Sequence, residues 1–159
     1  MITIHHLDTS RSERIVWLME ELGLEYRIEP WRRQANGAAP DALKAIHPLG
    51  KAPIIRDGDT VLAESGAIVE YLVNRHAGGR LAVPPSAPGY ARYLYWLHFA
   101  EGSLMTLMIV ALVLSRMPDG RTSPAGTRVL ARMQQMLSSS TRSSARRRGS
   151  RARSSPRPM

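Results

Sequence analysis

Apolar positions in the first half of the chain keep two different periods. Ile2, Ile4 and Leu7 come close to alternation, which fits a short strand. Asp8-Thr9-Ser10 follows as a turn and cap signal. Ile15, Leu18, Met19 and Leu22 then fall at i, i+3, i+4 and i+7, one face of a helix. Gly23 closes that helix as the residue past its last turn. Strand period returns over residues 25–30, with Tyr26 and Ile28 on one face. Residues 31–39 are polar and loop-like, and 40–46 read as a short helix begun by Pro40. Residues 52–56 predict a third strand, Asp57-Gly58 a tight hairpin and 60–62 a fourth strand. Ser65 is placed to cap a helix carrying Ile68, Val69, Leu72 and Val73.

The order β-α-β-α-β-β-α over residues 1–76 joins a β-α-β unit to a β-β-α unit. Such a chain predicts a mixed four-stranded sheet flanked by helices, an α/β fold of thioredoxin-like order. Residues 77–89 are rich in Gly and Pro and read as a linker. Residues 90–117 carry a long helix pattern, weakened near Gly102 and stopped by Pro118-Asp119-Gly120. They predict the first helix of a truncated all-α domain. Residues 118–159 are dominated by Arg, Ser and Pro and hold helix-compatible apolar spacing only over 129–137. So little apolar surface does not offset the entropy of ordering, and a disordered tail is expected.

Charge changes the picture only once it is divided. The chain has 159 residues and a formal net charge of +9. Residues 1–120 hold 12 Lys and Arg against 13 Asp and Glu, whereas residues 121–159 hold 10 Arg and no acidic side chain. Basicity belongs to the tail, so nucleic-acid or membrane-surface binding could rest on the tail alone. All-Arg basicity beginning abruptly is also what a shifted reading frame of GC-rich DNA produces, and nucleic acid is not the expected partner. With no cysteine the chain has no disulfide, no Cys-ligated metal and no thiol nucleophile of its own. The start lacks the basic and apolar regions of a secretory signal. The longest nearly apolar run, residues 104–114, is shorter than the roughly 20 residues that span a bilayer, so no span and a cytoplasmic protein are expected.

Three short stretches carry candidate chemistry. Pro53 opens a strand without an N–H to give; it sits at an edge or follows a cis bond, and an open edge would let the Ala52 backbone pair with an extended peptide. Glu64-Ser65 at a helix start suits a ligand bearing an ammonium and a carboxylate, or is simply a cap beside an acid. Thr9-Ser10-Arg11-Ser12 at the first strand–helix junction either caps the helix or offers a hydroxyl to a thiolate. A free thiol, with a pKa near ~8.5, needs such help at neutral pH. His5 and His6 alternate across a strand, so at most one faces any site, and no metal is expected.

Taken together, Thr9-Ser10-Arg11-Ser12-Glu13-Arg14, the Leu-Met-Glu-Glu-Leu-Gly-Leu-Glu-Tyr run ending at Tyr26, His47-Pro48-Leu49-Gly50-Lys51-Ala52-Pro53 and Leu62-Ala63-Glu64-Ser65-Gly66-Ala67-Ile68 resemble the glutathione S-transferase family in order and spacing. The resemblance covers residues 1 to about 117 and is nearest to the serine-type bacterial and fungal branch. It implies glutathione as co-substrate and a small electrophile as second substrate, in a cytoplasmic detoxifying transferase. Ala52 before a cis Pro53 would pair with the cysteinyl unit. Glu64 and Ser65 would hold the γ-glutamyl end, and Lys51 would reach a carboxylate. Ser10, or else Thr9 one residue before it, would activate the thiol. The family's homodimer and electrophile pocket depend on a helical domain of which only the start is legible here, leaving Leu104, Leu107, Met108, Val110, Ala111 and Leu114 without their usual cover. A glutathione-binding or thioredoxin-like interaction module without turnover is the alternative reading.

Overall fold

The computed structural model describes the backbone of residues 1–153 and the side chains of residues 1–141. The chain forms two compact units, Met1–Tyr93 and the residues from Leu94 onward. The expected linker, 77–89, thus falls inside the first unit.

The first unit contains β1 (Ile2–Leu7), α1 (Glu13–Leu22), β2 (Tyr26–Trp31), a 3-10 helix (Asp41–Ala45), β3 (Ile54–Asp57), β4 (Thr60–Ala63) and α2 (Ser65–His76). The sheet order is β2-β1-β3-β4. β1 runs parallel to β2, with Ile4 opposite Ile28, and antiparallel to β3, with Ile4 opposite Ile55. This is the mixed thioredoxin-like sheet that the β-α-β and β-β-α order predicts. β3 starts at Ile54 because the proline before it has no N–H for the ladder. Asp57 pairs with Thr60 across a two-residue turn in which Gly58 takes a φ of 58°.

Two cores lie in this unit. In one, Ile2, Ile4 and Ile55 of the sheet pack with Ile15 and Met19 of α1 and Ile68 and Leu72 of α2. The other is smaller and joins Leu43 of the 3-10 helix to Ile54 and Ala63, with Trp31 partly buried against it. Tyr26 and Ile28 share one face of the edge strand β2, where Ile28 stays 40% exposed. Arg80 ties the Gly/Pro-rich segment back, its Nη2 donating to the Glu21 carbonyl at 3.0 Å.

The long helical run contains α3 (Tyr90–His98), a π-helical segment (Phe99–Met105) and α4 (Thr106–Ser115). The weakening expected near Gly102 takes the form of that wider turn rather than a break. By length and composition the 26-residue helical run Tyr90–Ser115 is long and apolar enough to cross a membrane, because Gly102 and Ser103 interrupt its apolar residues without interrupting the helix.

α5 (Pro124–Arg153) reaches well past the apolar spacing at 129–137. The tail expected to be disordered thus contains the helix α5; residues 154–159 lie outside the described residues. Part of its sequence is locally compatible with a helix. No proline follows Pro124 until position 156, Pro124 stands at the favoured first position, and Arg, Ala, Met and Gln are good helix formers. Ser138 and Thr141 turn their hydroxyls back onto the Gln134 and Leu137 carbonyls, at 2.8 and 3.0 Å. α4 and α5 pack together across a turn with close backbone approach. A Cβ at Gly126 would stand 1.9 Å from the Gly120 carbonyl oxygen, so only glycine fits.

Candidate functional site

β3, β4 and α2 help bring three sequence-distant stretches into one small pocket. Its walls are Arg11, Leu49, Lys51, Ala52, Pro53, Ala63, Glu64 and Ser65. All five residues expected to contact glutathione are among them. The Ala52–Pro53 peptide is cis, and both residues are buried. Lys51 and Glu64 flank them as exposed groups of opposite charge.

Glu64, not Ser65, occupies the cap position of α2, and Ser65 is the buried first helical residue. Glu64 adopts φ 71° and ψ 115°. A non-glycine residue held at such a φ costs of order 1–3 kcal/mol, and residues of this kind cluster at binding sites. No side chain caps α2 among the described residues. Its first N–H groups are therefore left for an anion or for water.

Ser10 and Thr9 stand outside this set of walls, on the loop that Arg11 continues. Thr9 is exposed, with a φ of 49°. Arg33, which the sequence pattern did not single out, holds the loop from just past the end of β2. Its Nε donates to the Asp8 carbonyl at 3.0 Å and its Nη2 to the Thr9 carbonyl at 2.9 Å. Its Nη1 donates to Gly37 at 2.9 Å. Nothing in the spacing of a polar loop signals which arginine will do this. Arg11, also missed, adds positive charge to the pocket wall; burial, and then the charge of Arg11, lower the pKa of Arg14 one turn on.

Ser10 is half-buried, and its Oγ lies 2.7 Å from the Ser12 Oγ while accepting the Ser12 N–H at 3.2 Å. Ser12 is fully buried. Its Oγ accepts the Leu7 N–H at 3.2 Å and lies 2.9 Å from the His6 Nδ1. His6 thus faces α1, and His5 the opposite side of the sheet, as alternation requires. There the His5 Nδ1 accepts the Trp31 Nε1–H at 3.2 Å. The buried His5 Nε2 has no partner among the described residues. Burial lowers the His5 pKa, opposed by Glu29. No group of three metal-ligating side chains occurs among the described residues.

The β2-β1-β3-β4 sheet with a cis proline before β3 and an uncapped helix after β4 defines a thioredoxin-like domain with a small pocket beside the cis proline. Residues 1–74 match the family model "Glutathione S-transferase, N-terminal domain", and this domain belongs to the glutathione S-transferase family. Glutathione S-transferase 1 of Saccharomyces cerevisiae is 38% identical over 125 residues, which are 75% of this chain and 53% of the yeast protein. This chain thus spans about half the length of that relative. A glutathione S-transferase from Actinobacillus pleuropneumoniae superposes with a TM-score of 0.74 at 39% identity, over 87% of this chain and 63% of that one. The theta class enzyme of Xanthomonas axonopodis pv. citri, solved with glutathione bound, gives 0.60 at 27% identity, over 95% and 70%.

Proposed function

We propose that the chain binds glutathione in the pocket between β3 and α2 and activates its thiol for attack on a small electrophile. The observation that carries this is the meeting of Lys51, Ala52, Pro53, Glu64 and Ser65 in one pocket of a glutathione S-transferase domain. The backbone of Ala52 pairs with the cysteinyl unit as an added strand. The Glu64 carboxylate takes the γ-glutamyl ammonium, while Ser65 and the start of α2 take its carboxylate. Lys51 and Arg11 serve the glycyl carboxylate. Ser10 then donates a hydrogen bond to the sulfur, favouring the thiolate; the proton leaves to solvent. The thiolate attacks an electrophilic carbon, forming a C–S bond as a leaving group departs. Thr9 is the weaker choice for this role, because its backbone is turned out and held by Arg33. The serine-type branch and a cytoplasmic, detoxifying role belong to the same reading.

Calorimetry with glutathione tests it. Glu64→Ala is expected to weaken binding by about 1–3 kcal/mol, the cost of leaving a buried partner unpaired. Ser10→Ala is expected to raise the pKa of the bound thiol, followed by thiolate absorbance, with little loss of affinity. Unchanged affinity in the first variant, or a shift produced by Thr9→Ala instead, counts against the assigned residues. A second reading, glutathione binding without turnover, is favoured by one observation: from Leu94 onward no apolar side chain is fully buried among the described residues, so the region that would shape an electrophile site has no core. Binding without conjugation of an aryl halide selects that reading.

A further inference from the structure

Ser10 has one proton and two directions in which to send it, and the groups behind it decide which. The Ser10 Oγ accepts the Ser12 N–H, and it lies 2.7 Å from the Ser12 Oγ, a separation that holds one shared proton. The Ser12 Oγ is buried and already accepts the Leu7 N–H. Its own proton has three acceptors in reach: Ser10 at 2.7 Å, the His6 Nδ1 at 2.9 Å and the Leu7 carbonyl at 3.3 Å. If the His6 proton sits on Nε2, Nδ1 is an acceptor. Ser12 then donates to His6, and Ser10 must donate inward to Ser12. An inward-donating Ser10 presents only lone pairs outward, which repel an anion. If the proton sits on Nδ1, His6 donates to Ser12, Ser12 donates to Ser10, and the Ser10 proton is free to point out of the fold.

We propose that His6 and Ser12 are positioning residues that set the direction of the Ser10 hydroxyl: His6 in its Nδ1–H form orients Ser12, and Ser12 orients Ser10 toward the sulfur of bound glutathione. This rests on the reading of Ser10 as the thiol-activating group. No bond is made or broken along the chain of hydroxyls; each group keeps its own proton. The Arg33 clamp on the Asp8 and Thr9 carbonyls keeps the loop in the conformation in which these contacts form. Ser12 cannot be replaced in this by solvent, since it is fully buried.

Two measurements on the full chain test the proposal. Ring 15N shifts of His6 with glutathione bound are expected to show a protonated Nδ1; an Nε2–H tautomer overturns it. Titration of the bound thiol is then made in His6→Leu, His6→Asn and Ser12→Ala, with glutathione affinity measured alongside. His6→Leu and Ser12→Ala are expected to raise the thiol pKa by about one unit, about tenfold less thiolate near neutral pH. His6→Asn, whose amide N–H can stand where Nδ1–H stood, is expected to restore most of it, which a merely structural role for His6 would not do. If Ser10→Ala shifts the thiol pKa and His6→Leu does not, the relay is wrong and the activation reading stands. If Ser10→Ala itself has no effect, the activation reading fails and the relay falls with it. Should Ser12→Ala fail to fold, the His6 pair and the ring shifts still decide.

Discussion

The two units form helices for different reasons. Every fully or nearly buried apolar residue among those described lies between Ile2 and Val73. From Leu94 on, only Gly120 and Gly126 are buried among the described residues, although most of the described backbone is helical. In the first unit α1 and α2 each lay a buried stripe on the sheet, so packing sustains the helix. In the second, α4 is apolar nearly all round, and Met108, Ile109, Leu112 and Val113 remain exposed. Helical structure there rests on backbone propensity and on the glycine-lined turn between α4 and α5. The lesson is that helix content and burial are separate quantities, and only burial fixes a site to within the tolerance that chemistry needs.

The sharpest way to break this contrast is to cut the same kind of side chain out of each unit. Ile15→Ala and Leu72→Ala remove residues with no exposed surface and are expected to cost about 2–5 kcal/mol each. Leu112→Ala removes a residue that is half exposed and is expected to change stability by no more than about 0.5 kcal/mol. Amide exchange in β1 and β3, followed in denaturant, reads the first pair. Exchange in α4 reads the last. A loss of several kcal/mol at Leu112 would mean that α4 is packed in solution, for instance against a second copy or a lipid surface.

The same division governs what can be read from sequence. β1, α1, β3, β4 and α2 were legible because each has a period that matches one buried face, and turn residues such as Gly23 and Asp57-Gly58 mark their ends. The pocket was legible as well, since its walls come from short local motifs whose spacing is set by the sheet. Arg33 was not legible. Its role depends on where a polar loop folds back, and no local pattern encodes that. The Ser12–His6 contact was hidden for a related reason: both residues are polar in stretches where polarity reads as turn or exposed face. α5 was not legible beyond 129–137 because composition measures the material for a core, whereas the helix runs on through Pro124–Arg153 despite Gly126 and Gly149. The exposed stripe on α4 was foreseen only in part. Leu104, Leu107, Ala111 and Leu114 are half-buried, while Ile109, Leu112 and Val113, on other sides of the helix, are exposed.

A finer comparison sets ligand contact against backbone strain at a single position. Glu64 carries a φ of 71° at the mouth of α2. Glycine adopts that conformation without a Cβ penalty, and alanine does not. Glu64→Gly is therefore expected to be about 1 kcal/mol more stable than Glu64→Ala, while both lose the carboxylate and bind glutathione equally weakly. Thermal or denaturant midpoints of the two variants give the stability difference, and calorimetry gives the binding. If the alanine variant is the more stable, the strain at Glu64 is not stored as energy, and its conformation owes nothing to the ligand.

The smallest expected effect lies at the foot of α2 and concerns acid. The Asp57 Oδ2 accepts the Tyr71 hydroxyl at 2.9 Å and lies 2.6 Å from the His76 Nε2, joining the end of β3 to α2. The Tyr71 hydrogen bond, against partial burial and with help from His76, holds the Asp57 carboxyl below its ordinary value. A depressed folded pKa means that the folded chain holds the carboxylate more tightly charged than the unfolded chain does. The stability this contributes is fully present above the unfolded value, near pH ~4, and is lost as pH falls through the lower folded value. Asp57→Asn keeps the shape and removes the titration, so its stability is expected to be lower than wild type above pH ~4 and to converge on it in stronger acid. The second unit has two side-chain carboxylates, Glu101 and Asp119. Convergence should accordingly appear in the exchange of β3 and α2 amides and be absent from α4. A constant gap between the variant and wild type from pH ~5 to pH ~2 would show that Asp57 acts through packing alone, with its charge contributing nothing.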